Sequence, residues 1–433
     1  MNTEKGATMS ENQGGRAGRR RSGRMLAAGV CTAVCAVSAT STLVSALFGT
    51  AAGAAAKAPV KIGVIMPLTG TYATIGQQIV AGLKVEVNAL NTSGGVLGGK
   101  VVLDVKDDKS LPQTAALAAH AMQQDGVAAV MLTPIATEAT AALPVLSSAK
   151  IVSITGSGDG TLTKISTYPM NFSYSIPFTA YGPPMVYAAH VQGAKRVGIL
   201  TTDDTTGQAF GAVFKTAFQD TTYNVKLVSY QTYLPTATDV TSQLQKFVTT
   251  KVDTIVLQAP GALLGVVMNS VETLGLTNVQ ILADNGTVTT NLAKLVPVGL
   301  KKNFRAVVVD VLARSNPAKL DPQYSAYVSK LQKYLTPIPS LEAPLFSTNY
   351  LGITAWAINK AGSTSSSKIV SALQTVGKAK LPQTILLGGF NPSWTASNHS
   401  STGADFSKSW SVVRAGVPLY GTYVGTPLNV PAS

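Results

Sequence analysis

The chain has 433 residues, of which 45% are hydrophobic, 12% charged and 6% aromatic. That length suits two or three domains, and that composition excludes a highly charged, apolar-poor disordered chain. The formal net charge of +14 is carried by scattered bases such as Lys61, Lys84, Lys100, Arg196 and Arg305, with no stripe interleaved with aromatic residues, so it does not make a nucleic-acid footprint.

Residues 1–24 are polar and arginine-rich, residues 25–53 are apolar or small, and Ala54-Ala55-Ala56 follows. A charged leader, an apolar run and an A-x-A-like site read as an export signal over 1–56, cleaved near Ala56. The apolar run is long enough to stay as a membrane anchor instead, although its Thr, Ser and Gly content weakens a spanning helix. Arg20-Arg21 leaves general and twin-arginine export both open. Both cysteines, Cys31 and Cys35, fall in this stretch, so the exported body has no thiol for a disulfide, a nucleophile or a metal site.

From Val60 onward, short β-branched runs alternate with longer amphipathic stretches, the pattern of βαβ units and a mainly parallel sheet. Strands are expected at 60–66, 101–105, 127–132 and 151–154, with helices at 76–90, 114–124 and 137–148 between them. The alternation restarts with strands at 196–200, 225–230, 254–257 and 279–282 and helices at 208–218, 239–249 and 263–274. Two such series predict an α/β chain of two doubly wound lobes. A strand at 304–310, helices at 322–334 and 344–361, and short β-like pieces at 385–387, 409–414 and 419–424 complete the chain. These last pieces could finish a lobe begun much earlier.

Catalytic constellations are scarce. His120 and His190 sit in helical patterns and His399 in a polar loop, with no metal-ligand spacing between any of them. Gly156-Ser-Gly-Asp-Gly160 fails the dinucleotide pattern because residue 161 is Thr, and Ser157 is not in a nucleophile elbow because residue 155 is Thr. The stretch from Gly94 to Lys100 approaches a phosphate loop but is followed by Val101. No enzyme and no cofactor is expected. The loops after strands instead offer hydroxyls, glycines and backbone donors, at 69–76, 133–137 and 155–160. The first two lead into helices, whose N-termini carry unsatisfied N–H groups and suit a small anion. The same hydroxyls could simply cap helices or close turns.

The order of residues Lys61-Ile-Gly-Val-Ile-Met-Pro-Leu-Thr-Gly70, Gly76 at a helix start, Asn91-Thr-Ser-Gly-Gly-Val-Leu-Gly-Gly-Lys100, Asp107-Asp-Lys-Ser-Leu-Pro-Gln113 and the later Gly388-Gly-Phe-Asn391 resembles the leucine/isoleucine/valine-binding family. These are type I periplasmic substrate-binding proteins of ABC importers. The resemblance implies two Rossmann-like lobes joined by three crossovers, with boundaries of 57–176 plus 308–384 for one lobe and 177–307 plus 385–433 for the other. It also implies a monomer that traps a small-molecule solute by lobe closure and presents it to ABC permease subunits in the membrane. Carried over position by position, the ligand contacts fall on Ile135, Ala136 and Thr137 after the third strand and on Ser157, Gly158 and Asp159 after the fourth. In the second lobe they fall on Thr206, Pro260 and Asn285, the last standing where the family has an acid for the ligand ammonium, with Asp284 adjacent. Tyr72 and Ile75 would add an apolar wall. An extracytoplasmic ligand sensor on the same fold and a secreted α/β hydrolase are the alternative readings.

Overall fold

The computed structural model describes residues 57–381, 387–401 and 409–431. The export signal expected over 1–56, and Ile385 and Leu386 of an expected short strand, lie outside the described residues.

The first lobe is built on a five-stranded sheet of β1 (Lys57–Met66), β2 (Gly99–Asp107), β3 (Ala129–Leu132), β4 (Ser153–Thr155) and β5 (Asn171–Ser173), ordered β2-β1-β3-β4-β5 with every pair parallel. A parallel sheet is covered on both faces, which is why Val60, Ile62, Val64 and Ile65 of β1 form a buried run instead of an alternating one. The helices α1 (Ala73–Thr92), α2 (Pro112–Asp125) and α3 (Ala136–Ser148) supply the crossovers. Pro112 opens α2, where a missing N–H costs nothing, and Gly126 closes it in the left-handed region at φ 65°.

The second lobe begins with α4 (Gly182–Val191) and continues through β6 (Arg196–Thr202), α5 (Thr205–Ala217), β7 (Lys226–Tyr233), α6 (Thr241–Thr249), β8 (Thr254–Leu257), α7 (Leu263–Thr273), β9 (Gln280–Ala283), α8 (Leu292–Leu295), β10 (Phe304–Val309) and β11 (Ala313–Arg314). The helices α9 (Pro322–Leu331), α10 (Glu342–Ala361) and α11 (Ser366–Leu373) follow, and the chain ends with β12 (Trp410–Arg414) and β13 (Tyr423–Pro427). The second sheet is ordered β11-β13-β12-β10-β9-β8-β6-β7, with β12 antiparallel to both β10 and β13. The tail strands therefore complete a lobe begun more than two hundred residues earlier. The sequence analysis assigns no helix at α4, whose Pro183 and Pro184 sit at the helix start where they are tolerated.

Three features of this topology position the site. Strand order reverses at β1 in the first sheet and at β6 in the second, so the loops leaving their carboxyl ends face the crevice where open α/β sheets bind ligands. Helix α10 belongs to both cores: Leu341 and Leu345 pack with the second lobe, whereas Tyr350, Leu351, Ile353 and Ile358 pack with the first. Residues 387–401 return to the first lobe, where Trp394 is fully buried and His399 stacks on Phe172 of β5 at 3.9 Å between ring centroids.

Candidate functional site

A cavity of about 130 Å³ lies where the two lobes meet. The first lobe contributes Ile75 and Ile79 of α1, Pro134 and Ile135 after β3, and Tyr350 of α10; the second contributes Thr206 and Phe210 of α5, Pro260 after β8, and Asp284 and Asn285 after β9. Its walls are largely aromatic, through Tyr174, Phe178, Tyr181, Phe210, Phe346 and Tyr350. An engineered dry cavity of about 150 Å³ accepts benzene, so this one suits a solute with a body of that order.

The polar end is acidic. Glu342, in the first turn of α10, accepts a hydrogen bond on Oε2 from Asn285 Nδ2 at 2.6 Å. Asn285 Oδ1 in turn accepts from the Val309 N–H at 3.0 Å, so this amide ties α10 to the end of β10. Burial pushes the Glu342 carboxyl up to about 7, with the Asn285 bond opposing that rise and the charge of Asp284 adding to it. Asp284 is fully buried; its Oδ1 accepts from the Thr287 N–H at 3.0 Å and hydroxyl at 2.5 Å, and its Oδ2 from the Gly286 N–H at 3.2 Å. Burial nevertheless holds this carboxyl at about 6. Burial, with Glu342 and Asp284 close by, drives the Tyr181 phenol well above its ordinary value, so it stays a neutral donor. No lysine, arginine or histidine is among the residues that line the cavity.

Hydrogen bonds cross between the lobes around this cavity. The Tyr72 hydroxyl donates to Asp204 Oδ2 at 2.7 Å, the Ala136 N–H donates to Thr206 Oγ1 at 2.9 Å, and Gln78 Nε2 donates to the Thr289 carbonyl at 2.9 Å. Burial first, then the charge of Asp204, pushes the Tyr72 phenol far up. Behind them lies a second acidic group. Burial pushes Glu138, in the first turn of α3, up to about 8, with Asp108 and Asp204 adding to it, and Asp108 itself to about 7. Among the described residues, no group of His, Cys, Asp and Glu side chains has the arrangement to hold a metal ion.

Of the residues singled out from sequence, Ile75, Ile135, Thr206, Pro260 and Asn285 line the cavity. Tyr72 and Ala136 stand beside it in the cross-lobe bonds. Thr137 is half-buried, and its hydroxyl has no partner. Ser157 is buried in its own loop, its hydroxyl accepting from the Asp159 N–H at 3.3 Å and its carbonyl from Ser173 Oγ at 2.5 Å. Asp159 turns to cap a short helical turn, accepting from the Thr161 N–H at 2.8 Å. Gly158 and Asp159 line a separate cavity of about 210 Å³ together with Ser400 and Ser401. Sequence reasoning does not name Glu342, Tyr174, Phe178, Tyr181, Phe210, Phe346 or Tyr350. The available signal was an acid opening an otherwise apolar helix at 342, since a charge beside such a core helix needs a partner.

The family model for a periplasmic binding protein matches residues 59–402. The Leu/Ile/Val-binding protein BraC3 of Rhizobium johnstonii is 41% identical over 70 residues, which are 16% of this chain and 19% of that protein. An amino acid binding protein of Pseudomonas aeruginosa is 28% identical over 238 residues, 54% of this chain and 63% of the relative. The matched stretches thus span less than two thirds of these curated relatives, and about a fifth of the first. Among solved structures, the leucine binding protein LivK of Thermotoga maritima aligns with a TM-score of 0.70 at 19% identity, over 86% of this chain and 99% of that one. A solute binding protein of an ABC transporter from Rhodopseudomonas palustris, solved with 3,4-dihydroxybenzoic acid, aligns with a TM-score of 0.69 at 18% identity, over 85% and 96%. These likenesses show the two-lobed α/β fold of type I periplasmic binding proteins. The chain belongs to the periplasmic binding protein family, whose members work outside the cytoplasm by binding and not by catalysis.

Proposed function

We propose that this protein captures a small, largely apolar solute between its two lobes and hands it to the permease of an ABC importer. The observation that carries this reading is the cavity itself: it sits at the carboxyl ends of both sheets, is walled from both lobes, and is framed by hydrogen bonds from one lobe to the other. Ligand that touches both lobes stabilises their closed arrangement by its differential affinity for it. Solved structures of a leucine binding protein, of an ABC transporter solute binding protein with 4-hydroxybenzoate and of a fatty acid ABC transporter substrate-binding protein support a solute-binding role with variable cargo. Ile75, Ile135, Thr206, Pro260 and Asn285 meet the solute, while Tyr72 and Ala136 act by holding the lobes together. The protein works as an exported monomer, delivered by residues 1–56.

A thermal-shift screen of the purified protein against amino acids, aromatic acids, amines and short fatty acids tests this. A ligand at a hundred times its dissociation constant adds about 2.7 kcal/mol to stability. The expected outcome is a hit whose effect disappears in Phe210→Asp; a silent screen, together with no ligand-dependent change in small-angle scattering, would sink the reading.

A further inference from the structure

We propose that the solute is an organic cation: an amine with a compact apolar or aromatic body and no carboxylate, with Glu342 as its counter-ion. This rests on the solute-binding reading above and narrows the cargo.

The donors that line the space are neutral ones, among them the unpartnered Tyr350 hydroxyl and the Thr206 hydroxyl. The Ala136 N–H at the start of α3 donates to Thr206 Oγ1. Ser157 is not among the residues that line this space. Among the described residues no cationic side chain lines the space, so a carboxylate entering it would lose its hydration without a counter-charge and would meet two buried acids.

The same space is built for positive charge. Glu342 and Asp284 are its acidic side chains, one at the start of α10 and the other after β9. The hydrogen-bonding capacity of Asp284 is largely taken by Thr287 and Gly286. Glu342 differs: among the described residues only Oε2 receives a hydrogen bond, from Asn285, and nothing donates to Oε1. An ammonium bonded to Oε1 would complete this carboxylate. The surrounding side chains of Tyr174, Tyr181, Phe346 and Tyr350 are aromatic, and aromatic rings attract a desolvated cation as well as an apolar body. Because Asn285 bonds both Glu342 and the Val309 N–H of β10, charge captured at Glu342 acts on an amide already fixed to the second sheet.

The test measures binding to the full exported chain by calorimetry with four probes of similar size: 2-phenylethylamine, its neutral isostere 2-phenylethanol, the anion 4-hydroxybenzoate and zwitterionic leucine. The expected result is tightest binding of the amine, at least tenfold over the alcohol, and a further tenfold or greater loss in Glu342→Gln with little change for the alcohol. Glu342→Asp, which keeps the charge, restores part of the amine affinity and guards against misreading a folding defect. Equal binding of amine and alcohol, or tighter binding of 4-hydroxybenzoate or leucine, overturns the cation while leaving solute capture intact. No binding of any of the four overturns the cation as well, and solute capture falls with it only when the wider screen is silent too.

Discussion

Tyr72 and Glu138 are single side chains whose removal has readable consequences, one for the proposed closure and one for the dependence of stability on pH. The Tyr72 hydroxyl reaches across to Asp204 at 2.7 Å, a bond from one lobe to the other that the proposed opening would break. Its net worth, to a partly exposed acceptor, is about 1 kcal/mol. Tyr72→Phe is therefore expected to weaken binding of whatever ligand the screen finds by several-fold without lowering the melting temperature of the ligand-free protein by more than a degree or two. Calorimetry and a melting curve on the same sample read both. Glu138 has a folded pKa raised from an ordinary value near 4.5 to about 8, because burial disfavours its charge. Such a group stabilises the fold most below the unfolded value, and that contribution is lost as pH rises through the interval up to about 8. Melting temperature should fall between pH 5 and pH 8, and Glu138→Gln should flatten part of that fall; parallel slopes for the two proteins would show that Glu138 is not the source.

At the scale of elements, the crossing of α1 and α10 decides where Glu342 stands. Gly82 of α1 lies against the Pro344 backbone and Ser347 of α10, so tightly that a Cβ there would overlap the Pro344 carbonyl oxygen. The Thr348 and Ser347 hydroxyls donate across this contact to the Gly82 and Ile79 carbonyls, at 3.1 and 3.0 Å. Gly82→Val should push the helices apart, destabilise the protein by about 2–3 kcal/mol and impair ligand binding, as a urea melt and calorimetry would report. A variant of undiminished stability would mean the helices separate freely. Most of these elements were legible in the sequence, since β-branched runs and apolar helix faces are local signals. The crevice loops were legible too, because parallel strands dictate which ends they leave. The orientation of individual loop residues was not: Asp159 caps its own turn and Ser157 folds into its own loop, outcomes of competition between nearby donors. Nor was the pairing of Asn285 with Glu342, 57 residues apart, since only the route of the chain back through α10 brings them together.

The described residues build two sheets, with α10 packed into both cores, so the proposed closure would move large bodies about few connections. Binding of a genuine ligand should shrink the radius of gyration measured by small-angle scattering, and Phe346→Ala should reduce both affinity and that contraction; a ligand that binds without any contraction would argue for a rigid pocket. The same sharing governs how the protein comes to be folded. The edge strand β5 is sealed by the tail: the Ser173 N–H donates to the His399 carbonyl at 2.9 Å, Trp394 Nε1 donates to the Ser173 carbonyl at 3.1 Å, and Ser401 Oγ does so at 3.0 Å. These contacts close loops of more than two hundred residues, and contacts so distant along the chain form late. A nascent polypeptide cut off before residue 394 leaves the Phe172 ring and a bare sheet edge to water. The earliest lobe to be synthesised is thus among the last to be finished, and the chain remains threadable until nearly all of it has been made.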